Sequence, residues 1–538
     1  MKFSSIIYST ALLVLSASVQ AKLECSLEQT KLYESALDYS STLQDMIDEA
    51  SRLEQPVVYL ESGLFEIDPE KPIVLRKGVS LKGSLNEPTI LTAKSKNSTA
   101  SIEVYHENKA WAIQNIVFEN VNIVVEENRN EDETAILGNL FFNGGRGSVI
   151  AQYGQRLYIE SLTTRRSTDG NIFLRDALHQ AEKMIPSYND TNTGVLFQTQ
   201  KNSVVSNNIF GMDLRKMDVL EPVVDAQLKK PLQDLQFIHE CLGRDLADEQ
   251  GYLASGLQMY FSKDITIKEN IMNATFPDTH NIAQDHGISV VGSNQTYIYQ
   301  NFIAGWKIAD MGGAIRLTSA VDGYIMSNYF ANAGVMMYAA VHADFMQVSN
   351  MVVHNNFLYR FLNPEVAAVE QELSGWLYEG ITFFDFYTAR LNYTIRPPIW
   401  NASVPISPWG WHIVVSENKF GASEGLDPNI ISLGNLDPNE ALVDRKNCYV
   451  TEPLIPGSQH EQRVPLLWRQ NYQEGVFTKH GGKIPQKIME HTADDLADQI
   501  PAHLRNLKIP NYWKAFTLKN DTIPMLSPDT PCYRRKKD

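Results

Sequence analysis

The chain of 538 residues carries 47 Lys and Arg against 63 Asp and Glu, and it has only four cysteines. A composition of 43% apolar and 20% charged residues is close to the globular average, which excludes collagen, a coiled coil and wholesale disorder. The net charge of −16 argues against a general nucleic-acid binder, because such a protein needs a basic face. This length predicts several compact domains or one elongated repeat.

The amino terminus, residues 1–21, has the pattern of an export signal. Lys2 precedes an apolar stretch, and Val19 and Ala21 are the small residues of a cleavage site. This stretch is too short and too polar for a membrane span of about 20 residues, and no later segment is apolar enough. We therefore expect a secreted or periplasmic protein without a membrane span.

The four cysteines are far apart, with no Cys-x-x-Cys, which disfavours a zinc cluster. They can pair in three ways, and the sequence does not choose among them. Two disulfides near the chain ends are our expectation, and four free thiols are the alternative. The cysteines are Cys25, Cys241, Cys448 and Cys532. Glycosylation sequons, which matter in a eukaryotic host, occur at Asn97, Asn189, Asn273, Asn294, Asn392, Asn401 and Asn520.

A short pattern recurs along the chain: a few β-forming residues, one or two polar residues, Asn, and then usually an aromatic or aliphatic residue. The smallest spacings between successive Asn residues cluster near 29 residues, and the larger ones are about two or three times that. Such a period suits a winding of three short strands and three turns. It predicts that the Asn side chains stack in a ladder. The seven positions are Asn120, Asn208, Asn270, Asn301, Asn328, Asn356 and Asn418.

An amphipathic helix is predicted within residues 41–50, where Leu43, Met46, Ile47 and Ala50 have helical spacing. Short strands follow at residues 57–60, 63–67, 73–75 and 78–83. A helix in front of a strand repeat suits a cap over the open end of a solenoid.

This order of TLQDMIDEA, PVVYLESGLFEI, PIVLRKGVSLKG and Asn-bearing rungs resembles the right-handed parallel β-helix superfamily of secreted proteins typified by pectate lyases. The resemblance covers residues ~40–420 and implies an all-β fold and a carbohydrate partner. The stretch from Asp285 to Val291 is similar to an Asp-x-His-Gly-Phe run in alginate epimerases, whereas their Asp-Pro-His-Asp signature is absent.

Three parts of the chain depart from the period. We expect the solenoid to occupy residues 22–425, with a helical insertion at about 213–252 and an aromatic-rich insertion at about 362–411. Insertions in solenoids project from one side and often form the walls of a binding face. Residues 426–538 are predicted to be an extension that packs on the solenoid.

Aligning the rungs on their Asn residues predicts which side chains face outward from one sheet. In-register rungs lie ~4.8 Å apart, so outward polar groups of successive rungs come within reach of one sugar unit. His286, at a strand start, could instead turn inward. The predicted ladder is Gln258, Ser289, Arg316 and Asp344, with Asp285, His286 and His342 beside it and Tyr260 on the first strand; neighbouring turns add Asp278, His280, Trp306, Lys307 and Asp310.

Two reactions fit this cluster. In β-elimination on a uronate polysaccharide, Arg316 or Lys307 neutralises the carboxylate, His342 or His286 acts as the base, and Asp285, Asp310 and Asp344 are candidate Ca²⁺ ligands. In hydrolysis, two of these Asp residues would be the acid and the base or nucleophile. The Arg and His residues favour the lyase.

A glycoside hydrolase, a uronate epimerase and a non-catalytic glycan-binding or adhesion protein remain alternatives, because a fold does not fix a function. Substrate binding is predicted for Gln258, Tyr260, Trp306 and Lys307, and catalysis for Arg316, His342, Asp344, Asp285 and His286. The oligomeric state stays open.

Overall fold

The structure is a computed structural model. It describes residues 25–53, 56–76, 78–94, 99–104, 110–126, 134–137, 140–142, 146–149, 188–198, 200–211, 217–219, 226–244, 255–273, 286–304, 313–339, 348–360, 380–385, 410–423, 431–432, 436, 441–443, 446–451, 500–509, 516–518 and 526–533. The predicted export signal lies outside these residues.

Short strands dominate the described part of the chain. Three α-helices are α1 (Leu27–Lys31), α2 (Ser40–Ala50) and α3 (Ala226–Glu240), and Ala502–Leu504 forms a 3-10 helix. In chain order the strands are β1 (Leu37–Asp38), β2 (Val57–Tyr59), β3 (Gly63–Ile67), β4 (Ile73–Leu75), β5 (Ser80–Lys82), β6 (Thr89–Ala93), β7 (Ala100–Val104), β8 (Ala112–Gln114), β9 (Val117–Glu119), β10 (Val121–Glu126), β11 (Thr134–Leu137), β12 (Leu140–Phe142), β13 (Arg146–Val149), β14 (Tyr188–Gln198), β15 (Lys201–Ser206), β16 (Ile209–Phe210), β17 (Met217–Val219), β18 (Ser255–Tyr260), β19 (Lys263–Lys268), β20 (Ile271–Asn273), β21 (His286–Val291), β22 (Asn294–Tyr299), β23 (Phe302–Ala304), β24 (Gly313–Thr318), β25 (Val321–Met326), β26 (Tyr329–Ala331), β27 (Val335–Ala339), β28 (Val348–His354), β29 (Phe357–Arg360), β30 (Ile381–Asp385), β31 (Gly410–Ser416), β32 (Lys419–Ala422), β33 (Ile431–Ser432), β34 (Ala441–Val443), β35 (Cys448–Tyr449) and β36 (Phe516–Leu518).

These strands wind into three long sheets. Sheet A has the order β1-β3-β6-β9-β12-β16-β20-β23-β26-β29-β32-β35, sheet B has β2-β5-β8-β11-β15-β19-β22-β25-β28-β31-β34, and sheet C has β4-β7-β10-β14-β18-β21-β24-β27-β30-β33. Neighbours along each of these orders pair in parallel. Antiparallel pairs join β13 to β14 and β17 to β36. The predicted all-β parallel β-helix is confirmed.

A ladder of Asn side chains runs along the turns between sheets B and A. Each Oδ1 accepts hydrogen bonds from the backbone N–H and the Nδ2 of the Asn one rung earlier, at 2.9–3.0 Å. The residue before each ladder Asn from Asn208 to Asn418 has a positive φ of about 52–57°. This left-handed turn residue and the Asn after it redirect the chain while satisfying buried polar groups. The ladder members are Asn208, Asn270, Asn301, Asn328, Asn356, Asn418 and Asn447.

The prediction for Asn120 was wrong. The strand register aligns Val117 with Leu140 and Leu140 with Ile209, so Ile116 stands where the ladder Asn residues stand. Asn447 belongs to the ladder and was not predicted, because Cys448 follows it in place of the usual aromatic or aliphatic residue.

The larger spacings do not all correspond to several rungs. Asn208 and Asn270 are 62 residues apart, yet β16 and β20 are adjacent in sheet A. Asn356 and Asn418 are also 62 residues apart, and the strands that follow them, β29 and β32, are adjacent in sheet A. Each of these steps is therefore one rung that carries an insertion.

One continuous apolar core fills the interior of the β-helix. Alternate residues of each strand point inward, such as Ile315 and Leu317, and these side chains are fully buried. At the first end, α2 places Leu43, Ile47 and Ala50 on this core and so covers its opening. The predicted capping helix lies at this end.

Part of the aromatic-rich segment at 362–411 belongs to the solenoid. Strand β30 pairs with β27, and Phe383 points into the core with no exposed surface. Residues 361–379 and 386–409, with Trp376, Trp400 and Trp409, lie outside the described residues.

Sheets A and B are covered from outside by other segments. The buried side of α3, which includes Leu228, Leu232 and Ile238, packs with Ile209 and Ile271 of sheet A. Residues 500–509 pack on sheet B, and Leu526 packs with sheet A. The two disulfides, Cys25–Cys241 and Cys448–Cys532, tie outer segments together or to the solenoid, which settles the pairing left open by the sequence.

Candidate functional site

A column of side chains in register crosses sheet C where the predicted site lies, and Arg316 is its only partly exposed member among the described residues. The register confirms the first three predicted neighbours, Gln258, Ser289 and Arg316. The fourth position is Met336 of β27, so the prediction of Asp344 there was wrong. The column in order is Gln258, Ser289, Arg316, Met336 and Thr382.

The register error has a simple cause in the lengths of the connections. Eight residues, 305–312, precede β24, and two residues, 319–320, follow it. In the next rung three residues, 332–334, precede β27 and eight residues, 340–347, follow it. The longer connection has moved to the other side of the sheet C strand, while the Asn spacing stays at 27 and 28 residues. Alignment on Asn residues therefore selects the wrong strand.

His286 begins β21 and faces Arg316. Ala314 and Ile315 both belong to the core, so the inward–outward alternation of β24 is broken at its start. Gly313 pairs with His286 at this corner. Nε2 of His286 lies 3.2 Å from Nη1 of Arg316, and the imidazole has no exposed surface.

The roles of the two nitrogens follow from the chemistry of the guanidinium. Arg316 carries only N–H donors, so Nη1 donates and Nε2 of His286 accepts. The neutral imidazole in this pair has its proton on Nδ1. The pair therefore holds a fixed cation on the outer side of sheet C.

Arg316 makes a second contact on the next rung. Its Cζ lies 4.8 Å from the ring centroid of Tyr338, which is a cation–π distance. The Nε of Arg316 is buried and has no hydrogen-bond partner among the residues that the structure describes. A buried N–H without an acceptor is costly, which favours an acceptor supplied by a ligand.

Gln258 lies at the first end of the column. It is 1% exposed, and its Nε2 donates to Oγ of Ser255 at 3.1 Å. Tyr260 packs in a small apolar cluster with Leu196, Phe261 and Val291. Gly292 makes this packing possible, because a Cβ at its φ of +60° would lie 2.6 Å from the Phe261 ring.

Six predicted site residues lie outside the described part of the chain: Asp285, Trp306, Lys307, Asp310, His342 and Asp344. The turn residues Asp278 and His280 also lie outside it. Within the described ranges, no group of three or more His, Cys, Asp or Glu residues could hold a metal ion. The structure thus brings together Arg316, His286, Ser289 and Gln258.

Sequence reasoning missed Tyr338. This residue sits two positions after Met336 on β27, and the misaligned rung hid it. No alternation of polar and apolar residues marks it, because all five residues of β27 are apolar or aromatic and buried.

Comparisons with known proteins give structural likeness only. No family model and no curated protein sequence matches the chain. Among solved structures, the A-module of mannuronan C-5 epimerase AlgE6 from Azotobacter vinelandii is 11% identical, with a TM-score of 0.33, over 78% of this chain and 96% of that chain. The Streptococcus pneumoniae surface adhesin PfbA is 11% identical, with a TM-score of 0.33, over 77% and 90% of the two chains.

A third match, the alginate lyase AlyF-OU02 in complex with G6, is 9% identical with a TM-score of 0.34, and covers 80% of this chain and 81% of that chain. At these identities and TM-scores the likeness does not extend to activity or substrate. No helix in the described ranges is long and apolar enough to span a membrane.

Proposed function

We propose that this protein is a polysaccharide lyase that cleaves a uronate-containing polysaccharide by β-elimination on the outer face of sheet C. The observation that carries the proposal is the set of contacts around the guanidinium of Arg316. Its Nη1 is held by His286, its plane is near the Tyr338 ring, and its Nε lacks an acceptor among the described residues. A carboxylate is the group that the fork of an Arg side chain binds best.

The reaction requires such a cation. A base removes the proton at C5 of the uronate, the C–H electrons form the C4–C5 double bond, and the C4–O bond breaks. The leaving oxygen takes up a proton. Negative charge develops on the carboxylate as the C5 proton leaves, and a guanidinium placed there stabilises it most in the transition state.

His286 is assigned a positioning role in this proposal. Its Nε2 lone pair already accepts from Arg316, and this contact fixes the orientation of the guanidinium. The base is then proposed to be His342, in the connection between β27 and β28. Ca²⁺ bound by Asp285 and Asp310 remains part of the proposal, with loss of activity in EDTA and recovery with CaCl₂ as its test.

The outward column fits hydrolysis less well. A glycoside hydrolase needs two carboxyl groups at the cleaved bond. The five column members Gln258 to Thr382 carry an amide, a guanidinium, two hydroxyls and a thioether, so a hydrolase would have to draw both carboxyl groups from Asp285, Asp310 and Asp344, which lie outside the described residues. The two disulfides support a site of action outside the reducing cytoplasm.

The test is incubation of the purified protein with alginate, polygalacturonate and chondroitin sulfate while absorbance near 235 nm is followed. Unsaturated product from at least one polymer is the expected result. New reducing ends without that absorbance would indicate hydrolysis. Retention on a polymer with neither signal would indicate a glycan-binding protein.

A further inference from the structure

A groove at the amino-terminal end of the solenoid lies on a different sheet from Arg316 and several rungs before it. It has a volume of about 710 Å³ and runs along the corner where sheet B turns toward sheet A. We call it the amino-terminal groove, and its lining includes Tyr59, Glu61, Lys82, Leu85, Gln114 and Asn115.

Three side chains of this groove form one column across successive rungs. Tyr59 pairs in register with Lys82, and Lys82 pairs with Gln114. Strand spacing places successive members ~4.8 Å apart, so the column spans ~10 Å, about the length of two sugar units. The column therefore presents an aromatic ring, an ammonium group and an amide along one line.

These groups are available to a ligand. Tyr59 is 67% exposed, and Lys82, Gln114 and Asn115 are half-buried. The side chains of these four residues have no hydrogen-bond or ion-pair partner among the residues described. In the same column three rungs after Gln114, Lys268 pairs with Glu269 at 3.5 Å.

Farther along the solenoid, a peptide segment covers the outer face of sheet B and shows which contacts a peptide makes there. There the chain's own residues 500–509 lie on sheet B, with Ile500 and Leu504 packed on Met326, Val352 and Val414. Side chains of the turns hold its backbone: Oγ of Ser327 and Nδ2 of Asn355 donate to the Leu507 carbonyl at 3.1 and 3.2 Å.

The amino-terminal groove lacks that apolar surface. At the groove, the register carries the Met326 position back to Gln114, Lys82 and Tyr59, and the Val352 position back to the small residue Ala112. A peptide would lose its apolar contacts here. A ligand rich in hydroxyl groups gains an aromatic platform, an ammonium donor and amide partners instead.

We infer that the amino-terminal groove is a second glycan-binding site, which holds about two units of an acidic polysaccharide away from the outer face of sheet C. The sugar ring lies against Tyr59, Lys82 binds a carboxylate, and Gln114 and Asn115 bind hydroxyls. The acidic character of the ligand rests on the proposed function. The purpose of such a site is to keep a long polymer attached between cleavage events.

The test separates binding from cleavage. Arg316→Ala serves as the background, so that retention in native gels containing alginate, polygalacturonate or chondroitin sulfate is measured without turnover. Adding Tyr59→Ala is expected to weaken the Kd for the retained polymer roughly tenfold, and adding Lys82→Ala several-fold. Leu37→Ala, which removes another exposed apolar side chain outside the groove, is the matched control and leaves retention unchanged.

Unchanged retention in both groove variants overturns the inference. Failure of the Arg316→Ala protein to bind any of the three polymers also overturns it. A third contrary result is that a synthetic peptide with the sequence of residues 500–509 binds to the protein and that Tyr59→Ala abolishes this binding. The proposed lyase activity is judged separately from the absorbance of wild-type reactions. If polymer retention depends on Tyr59 but wild-type reactions give no unsaturated product, the lyase proposal is rejected and the groove is still a glycan-binding site.

Discussion

Nη1 of Arg316 and Nε2 of His286 are 3.2 Å apart, although the residues are 30 positions apart in sequence. Neighbouring strands of sheet C bring them together, with His286 at the first residue of β21 paired to Gly313 at the first residue of β24. In a parallel β-helix each rung contributes one residue to each column of side chains in register. The chemistry of the face is therefore set by connection lengths as much as by residue types.

Arg316 provides the sharpest test of the lyase. Arg316→Lys keeps a positive charge but cannot hold His286 and present a planar fork to a carboxylate at the same time. We expect kcat for formation of unsaturated product to fall roughly 100-fold or more. Lys446→Ala removes an exposed cation that pairs with Glu417 and is the control. Equal activity of Arg316→Lys and wild type would reject Arg316 as the carboxylate-binding cation.

The role of His286 is tested by a pair of substitutions. His286→Gln retains an oxygen that can accept from Nη1 of Arg316, whereas His286→Leu does not. For a positioning residue we expect the Gln variant to keep most of kcat and the Leu variant to lose about tenfold. The pH profile of kcat should keep its shape in the Gln variant. If both variants are equally inactive, His286 is the base.

The fold was largely predictable from the sequence, because the Asn ladder imposes a period that residue types alone reveal. The central rungs at Asn270, Asn301, Asn328 and Asn356 are spaced and hydrogen-bonded as predicted. Asn120 carried the same local pattern but lies four residues beyond the ladder position. A short motif does not show whether its Asn is buried between rungs.

The candidate site was predictable only in part. Gln258, Ser289 and Arg316 follow from alternation within strands of equal spacing. The prediction failed for the next rung because its longer connection follows the sheet C strand β27 instead of preceding it, and this change leaves the Asn spacing nearly unchanged. The contact between Arg316 and Tyr338 could not be deduced without that register.

The ladder is expected to be a main source of stability. Asn301→Ala removes an acceptor used by both nitrogens of Asn270, at 3.0 Å each, and a donor to the Ile267 carbonyl. Leaving these buried groups unsatisfied is expected to lower the free energy of unfolding by about 3 kcal/mol, measured by urea denaturation. Asn120→Gly, which suits the positive φ of that position, is the control and should cost less than about 1 kcal/mol. Similar losses in both variants would contradict the ladder's role.

The disulfide Cys448–Cys532 holds the segment 526–533 on the solenoid. It closes a stretch of 84 residues, and Nζ of Lys419 also donates to the Pro528 and Thr530 carbonyls. Replacing both cysteines by Ser is expected to destabilise the protein by about 4 kcal/mol through the loop it frees. Proteolysis within the segment should also become faster. Removal of this disulfide without either effect would show that the Lys419 contacts suffice.

The buried pair of Lys230 and Asp234 on α3 makes stability depend on pH. Burial raises the pKa of Asp234 to about 6, and the attraction of Lys230, which lowers this pKa, only partly opposes it. Tyr33 and Glu87 are the other titratable groups coupled to this pair: Asp234 helps to raise the pKa of Tyr33, and Lys230 helps to lower that of Glu87. A carboxyl group whose pKa is higher in the folded than in the unfolded state binds its proton more tightly in the folded state. Its contribution is complete below the unfolded pKa and is lost as pH rises through about 6.

We therefore expect the free energy of unfolding to fall by roughly 2 kcal/mol between pH 4.5 and pH 7.5 from this group. Asp234→Asn keeps an oxygen that can accept from Lys230 and removes the titration, so its stability should be flatter over that range. Denaturation of both proteins in urea at several pH values measures the difference. Parallel pH profiles for the two proteins would show that Asp234 is ionised throughout, with the ion pair outweighing burial.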